Sequence, residues 1–102
     1  MAEDQELKRL LWYVLGGARG GVNRARIIHE LSTRPLNLNQ LAERLEVDYR
    51  TVTHHAGILR ANALVVVEGD RYGALYFISP RLQAGMDLFV EITEKLGFKL
   101  DG

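Results

Sequence analysis

The segment from residue 48 to residue 62 predicts a helix whose two sides differ in chemistry. Val52, Ala56 and Leu59 form an apolar stripe that would face a core, and Asp48 can cap the helix N-terminus. The opposite side carries mostly hydrogen-bonding residues, namely Tyr49, Arg50, Thr53, His54 and Gly57. Such side chains near a helix N-terminus can meet the base edges of DNA when the helix enters the major groove. The alternative is an ordinary amphipathic helix with a solvated polar side.

Three residues on the polar side have a partner that they can bind on DNA. Arg50 can bind a guanine through two hydrogen bonds, Thr53 can contact a thymine methyl group or a phosphate, and His54 can donate to a base or a phosphate. Gly57 costs a helix about 1 kcal/mol relative to alanine. At this position a glycine would let the helix backbone approach DNA closely.

Six further residues could hold the DNA backbone, since arginine side chains and the free amides of a helix N-terminus attract phosphate. They start the second and third predicted helices or flank the fourth: Arg24, Arg26, Asn39, Gln40, Arg60 and Arg71. A surface salt bridge is the competing interpretation for each arginine. Arg44 is expected to form only a salt bridge, because Glu43 and Glu46 are close in the sequence.

Other chemistries find little support in the residues. The chain has no cysteine, which excludes disulfides and thiolate metal sites. His54 and His55 are adjacent, so on a helix they point about 100° apart and are poorly placed to share a metal. His55 is instead expected to be a packed, hydrogen-bonded histidine. No catalytic constellation is recognisable, and we expect no enzymatic activity, no metal and no cofactor.

The glycine-rich sequence GGARGG at residues 16–21 could suggest a phosphate-binding loop. It lacks the Lys-Ser/Thr ending of a nucleotide-binding loop and does not follow a predicted strand. We interpret it as a flexible joint between two helices, with Arg19 as a further contact to DNA.

The charge distribution favours a nucleic-acid partner more than the total charge does. The 102 residues include 13 basic and 13 acidic side chains, for a net charge of zero. Residues 17–60 nevertheless carry seven arginines against four acidic residues. No apolar run approaches the roughly 20 residues of a membrane span, and the acidic start is not a secretory signal. We therefore expect a cytoplasmic protein with no membrane partner.

Apolar periodicity predicts a mostly α-helical single domain over residues 1–102 with one small β-hairpin, an α+β fold. A first helix is expected within residues 1–16. Asn23 is expected to cap a second helix that ends near Ser32. Asn37 and Gln40 have the spacing of a capping box for the third helix.

The remaining elements follow from turn signals and strand-forming residues. Residues 46–48 form a turn before the fourth helix. Strands are expected at 64–68 and 71–79, joined by a tight turn at Gly69-Asp70. One uninterrupted helix should then start at Ser79-Pro80. The DNA-binding core would span 22–79, followed by a C-terminal helix within 80–98.

The stretch LAERLEVDYRTVTHHAGILRANALV, followed by VVEGDRYGALYFIS, resembles the winged helix-turn-helix of ArsR-like and MarR-like transcription regulators. The upstream RGGVNRARIIHELSTRPLNLNQLA is similar to small archaeal members, and the match covers about residues 19–80. The resemblance implies a homodimer on a pseudo-palindromic site. Its recognition helices would contact successive major grooves, its wings the flanking minor groove, and Thr51 would be among the DNA-binding residues.

The resemblance also implies that the first and last helices form the dimer interface. Apolar residues at helical spacing agree with this, and the expected interface residues are Leu7, Leu11, Val14, Leu82, Met86, Phe89 and Leu96. The chain departs from the metal sensors of the family, since it has no cysteine near the third helix and no histidine in the last. Ala56 also stands where the family usually has leucine.

These features predict a dimeric, sequence-specific transcription regulator that binds double-stranded DNA. Two alternatives stay open. One is a winged-helix protein-interaction module within a larger complex, which the zero net charge favours. The other is a sensor gated by a ligand or a metal, whose effector the sequence does not identify.

Overall fold

Six helices and one hairpin make up the protein, as seen in a computed structural model that describes residues 2–17, 19–71 and 73–100, with side chains from residue 5 onward. In chain order the elements are α1 (Ala2–Gly16), α2 (Gly21–Leu31), α3 (Leu38–Leu45), α4 (Tyr49–Ala61), β1 (Val65–Glu68), β2 (Leu75–Ile78), α5 (Pro80–Ala84) and α6 (Met86–Leu96). The strands pair antiparallel, with Val65 opposite Ile78 and Glu68 opposite Leu75. The predicted α+β class is confirmed.

Local capping explains where three of the helices start. The Asn37 side chain accepts a hydrogen bond from the Gln40 amide at 2.8 Å, and the Gln40 side chain accepts one from the Asn37 amide at 2.9 Å. The predicted capping box of α3 is therefore confirmed. Asp48 accepts from the Thr51 amide at 2.7 Å and caps α4, and Ser79 caps α5 ahead of Pro80.

The start of α2 differs from the sequence prediction. The helix begins at Gly21, so Asn23 lies inside its first turn, and the N-cap residue Gly20 supplies no side-chain hydrogen bond. A Cβ atom on Gly21 would lie 1.9 Å from the Leu15 carbonyl oxygen. The prediction of a flexible joint is thus wrong at Gly21, because the glycine is needed where the start of α2 packs tightly against α1.

The last helix and the hairpin also differ from their predicted extents. Gly85, with a φ of −113°, interrupts the last helix between α5 and α6. A Cβ atom on Gly85 would lie 2.3 Å from Leu7 Cδ2, so α1 packs closely against this interruption. The second strand starts only at Leu75, which makes the hairpin connection longer than the predicted Gly69-Asp70 turn. Tyr72, predicted on the second strand, lies outside the described residues.

The dimer-interface prediction needs correction, because most of its residues belong to the core of a single chain. Helices α1 and α6 pack against each other within that chain. Five of the predicted side chains are buried there: Leu7, Leu11, Val14, Leu82 and Phe89. Met86 and Leu96 are half-buried against the same core. The apolar spacing that suggested association between two chains is used for packing inside one.

A backbone bridge ties the hairpin to the start of α3. The Tyr76 amide donates to the Leu36 carbonyl at 2.8 Å, and the Leu36 amide donates to the Tyr76 carbonyl at 3.3 Å. Both side chains are buried in the core. The hairpin, which is the wing of the fold, is therefore anchored at its base. In the described part of the chain, no helix is long and apolar enough to cross a membrane.

Candidate nucleic-acid interface

Helix α4 is fixed by the turn that follows α3 and by its own apolar side. Glu46 ends α3 in the left-handed conformation with a φ of 58°. The next amide, that of Val47, donates to the Ala42 carbonyl at 3.1 Å, while the Val47 side chain packs against the core. The predicted inner stripe of α4, Val52, Ala56 and Leu59, is fully buried. The predicted polar side must therefore face outward.

The outward side of α4 is exposed at all five positions expected to face DNA: Tyr49, Arg50, Thr53, His54 and Gly57. Thr51, placed among the DNA contacts by resemblance, is half-buried, and its amide is held by the Asp48 cap. The Thr53 hydroxyl donates to the Tyr49 carbonyl at 2.7 Å. Thr53 therefore has no spare hydroxyl proton, and its methyl group and oxygen lone pairs are what it can present to DNA.

The arginines of this surface are not held in salt bridges. Arg50, Arg60 and Arg71 are exposed, and within the described ranges none of them forms a salt bridge. Arg44 does form the salt bridge expected of it, but its partner is Glu30 at 3.2 Å, across from α2, instead of a neighbour in sequence. Guanidinium groups without partners can bind phosphate or guanine with no ion pair to break first.

The Asp48 carboxylate beside these arginines is committed to capping. The backbone hydrogen bond from Thr51 is the main cause that lowers the pKa of Asp48, and the nearby charge of Arg50 adds a smaller contribution. The group therefore stays ionised at neutral pH. Its negative charge stabilises the positive end of the helix dipole at the N-terminus of α4.

A small cleft joins the starts of α3 and α4 to the wing. Its volume is about 30 Å³, and its lining includes Asn39, Tyr49 and Arg71 from these three elements. Gln40 is exposed nearby in sequence, with its side-chain oxygen used in the capping box and its amide group left as a donor. The structure thus brings together predicted contacts from α3, α4 and the wing.

Arg24 does not belong to this surface, and its prediction as a phosphate contact is wrong. The side chain is only 4% exposed. Its Nε donates to the Val14 carbonyl at 2.7 Å, and its Nη1 lies 3.0 Å from His55 Nδ1. The sequence signal was a basic residue near a helix start, but the packing of α2 against α1 turns this position inward.

Arg26 is also placed apart from α4. Its Nη2 donates to the Leu45 carbonyl at 2.9 Å and so braces α2 against the C-terminal end of α3. The half-buried side chain lines a groove with Val22, Glu30 and Arg44 and with the C-terminal segment, and no α4 residue lines that groove. The structure therefore gives Arg26 a packing role and does not bring it to the predicted DNA contacts.

The histidine pair separates into one exposed and one buried ring. The rings of His54 and His55 meet edge to face, with centroids 5.1 Å apart. His55 is 8% exposed and hydrogen-bonded, which confirms the prediction of a packed histidine. Burial lowers the pKa of His55, and the charges of Arg24 and His54 lower it further. The described residues contain no group of three potential metal-ligating His, Cys, Asp or Glu side chains.

Sequence reasoning missed a cavity beside α4. It has a volume of about 780 Å³ and lies between the end of α1, the connection to α2 and the side of α4 that carries the histidine pair. The signals were the glycine run, Arg24 and the histidines, which are far apart in the sequence. Only the packing of α2 against α4 brings them together.

Comparison with known proteins identifies the fold. No family model matches the sequence, and no curated protein matches it. Reduced HlyU from Vibrio cholerae N16961 is 21% identical, with a TM-score of 0.66 over 89% of this chain and 94% of that chain. The transcriptional repressor BigR from Xylella fastidiosa is 16% identical, with a TM-score of 0.65 over 93% of this chain and 96% of that chain.

A third similar structure is the transcriptional regulator BldR from Sulfolobus solfataricus. It is 21% identical, with a TM-score of 0.57 over 95% of this chain and 76% of that chain. At these identities the likeness establishes a shared fold, the winged helix of transcription regulators.

Proposed function

We propose that the protein is a dimeric transcription regulator that binds a specific site on double-stranded DNA, acts in the cytoplasm and has no enzymatic activity. The observation that carries the proposal is the outward side of α4, where Arg50, Thr53 and His54 are exposed and Arg50 forms no salt bridge with any described residue. The winged-helix fold shared with transcription regulators supports it. We further propose that the chain belongs to the ArsR/MarR-like group, with small archaeal members among its relatives.

In the proposed complex α4 lies in the major groove and the wing lies at its flank. Arg50 in the first turn of α4 would bind a guanine, and the Thr53 methyl group would contact a thymine. Arg60 in the last turn of α4, Asn39 in α3 and Arg71 in the wing would bind phosphates. Because these phosphate contacts carry no sequence information, they would fix the register of the helix while Arg50 and its neighbours select the site.

We propose that two copies associate through the outer side of α6. Val90 is 50% exposed, and half-buried Met86 stands four residues before it on the same side of the helix. Val90→Glu should convert a dimer into a monomer in sedimentation analysis. Val66→Glu is the matched control, since Val66 is 39% exposed and lies on β1 instead of α6. A parent protein that sediments as a monomer at high micromolar concentration would contradict the dimer.

Fluorescence anisotropy tests the DNA-binding proposal. Labelled duplex from the region upstream of the gene would be titrated beside a scrambled duplex of equal length, each at two salt concentrations. We expect tighter binding to the upstream duplex and a loss of affinity with salt on both duplexes. Equal weak binding would contradict specificity for that DNA. No binding to either duplex at low salt would contradict a DNA-binding function and favour the protein-interaction module.

A further inference from the structure

The charged side chains that line the cavity beside α4 are basic. Besides the Tyr13 phenol, its polar side chains come from two arginines, two histidines and two asparagines: Arg19, Arg24, His54, His55, Asn23 and Asn62. Among the residues that the structure describes, no aspartate or glutamate lines it. Its volume of about 780 Å³ falls within the range of roughly 300–1,000 Å³ that is typical of small-molecule sites. A cavity with this lining favours a negatively charged occupant.

Arg24 is the strongest indication of such an occupant. Its guanidinium is almost fully buried, yet its two hydrogen-bond partners, the Val14 carbonyl and the His55 ring, are both uncharged acceptors. Among the described residues it has no carboxylate partner. Burying a charge without a counter-ion is costly, and burial is the main cause that lowers the pKa of Arg24. An anion in the cavity would supply the missing charge.

The state of His55 follows from its contact with Arg24. Arginine has only donors, so His55 Nδ1 must accept the 3.0 Å hydrogen bond and the ring is neutral, with its proton on Nε2. Gly20 makes this arrangement possible, since a Cβ atom there would lie 2.1 Å from His55 Cε1 and 2.8 Å from Arg24 Nη1. The buried cation and its neutral partner are thus built into the wall of the cavity.

We propose that this cavity binds a small organic anion, a carboxylate or a phosphate ester with an apolar body. Arg24 and Arg19 would bind the anionic group. The start of α2, which has no side-chain cap, would add backbone amide donors. Tyr13, Ile58 and Ala61 line the cavity and would contact the apolar body. The proposal concerns the protein alone, so its success or failure is independent of whether DNA binds.

Amide chemical shifts measured by NMR test this site with simple probes. Benzoate carries a carboxylate and an apolar ring, benzamide is its neutral isostere, and inorganic phosphate is an anion without an apolar body. Each would be added to the full chain at constant ionic strength. We expect saturable shifts with benzoate at Gly17, Gly20 and Asn23, weaker binding of phosphate and no saturable shifts with benzamide. Equal responses to benzoate and benzamide, or benzoate shifts located elsewhere, would overturn the proposal.

Charge-removing variants sharpen the test. Arg19→Gln removes an exposed cation that lines the cavity and should weaken benzoate binding about tenfold, the effect of one hydrogen bond to a charged group. Arg34→Gln is the matched control, because Arg34 is exposed and lines none of the cavities described above. Equal affinity in all three proteins would overturn the assignment of Arg19.

Arg24→Gln tests the central residue, but it also removes the bond to Val14 that joins α2 to α1. Its benzoate titration is therefore interpreted only if its amide spectrum shows a folded chain. If Arg24→Gln does not fold, the titration of Arg19→Gln tests whether the cavity binds the anion. A phosphate of bound DNA is the other possible source of the anion. If benzoate causes no shifts while Arg19→Gln lowers the salt dependence of DNA binding by one phosphate contact, DNA fills this site and the small-anion proposal is wrong.

Discussion

Replacing Gly57 by alanine should stabilise the fold and weaken DNA binding at the same time. Gly57 lies inside the 13-residue helix α4, it is exposed, and a Cβ atom added there would meet nothing within 4 Å. No packing energy is gained or lost, so only the helix preference changes, which favours alanine by about 1 kcal/mol. For a domain of this size that gain corresponds to a rise in melting temperature of about 5 °C.

Guanidinium unfolding provides the measurement of stability. The midpoint should rise while the dependence on denaturant stays the same, since the surface exposed on unfolding hardly changes. The added methyl group points outward on the proposed DNA-binding side, so anisotropy with cognate DNA should show weaker binding despite the higher stability. Unchanged or lower stability would refute the helix argument. Unchanged affinity would refute close approach of this backbone to DNA.

Gly21→Ala is the matched control, because the same chemical change should have the opposite effect on stability. Its Cβ atom would lie 1.9 Å from the Leu15 carbonyl oxygen, which is backbone and cannot rotate away. Helices α1 and α2 would have to separate, at a cost of about 2 kcal/mol. If both alanine variants stabilise the fold, the packing of α2 against α1 described above is wrong.

Three further predictions concern the arginines and the buried histidine. Arg50→Ala should weaken the free energy of binding to a cognate site by about 1–3 kcal/mol and relax the preference at one base pair. Arg34→Ala, the control, should change neither the affinity nor the preference. If Arg50→Ala binds cognate DNA like the parent, the proposed docking of α4 is wrong. Arg26→Ala should lower the unfolding free energy by about 1 kcal/mol through loss of the Leu45 hydrogen bond, with no change in the salt dependence of DNA binding. If Arg26→Ala lowers the salt dependence of DNA binding, Arg26 does contact a phosphate and the packing role assigned to it is wrong. Because burial and neighbouring charge lower the pKa of His55, the unfolded chain takes up the proton first as pH falls below about 6.5. The free energy of unfolding should keep its full value above that pH and fall below it. Between pH 7 and 5 the free energy of unfolding of His55→Gln should fall less than that of the parent. Equal falls in the two proteins would contradict this.

The parts of the fold that depend on neighbours in sequence could be predicted from the sequence. Asn37 and Asp48 cap helices through residues three positions later, so their signal lies within one turn. The apolar stripe of α4 follows helical periodicity, and His55 borders it, which indicated a packed ring. The exposed residues of α4 that we propose to bind DNA are the remainder of the same helix.

The incorrect predictions share a tertiary cause. Arg24 looks like a surface residue in sequence, and only the approach of α1 and α4 buries it. The apolar side of the last helix predicts that something covers it, but does not distinguish α1 of the same chain from a second chain. Gly21 was predicted to lie in a flexible joint and Gly85 inside one uninterrupted helix, because the close approach of Leu15 to the first and of Leu7 to the second arises only in the folded chain.

The backbone bridge between Leu36 and Tyr76 joins the wing and the helix-turn-helix into one rigid unit. Leu36 stands directly before the cap of α3, and Tyr76 lies within β2, so a tilt of the hairpin would displace the segment that leads into α3 and, through the turn, α4. The distance between the wing and α4 is therefore fixed by the fold. In a complex the DNA would be the more deformable partner, and the width of its groove would have to adjust to the distance between the wing and α4. Base pairs that neither element touches would then influence affinity through their stiffness.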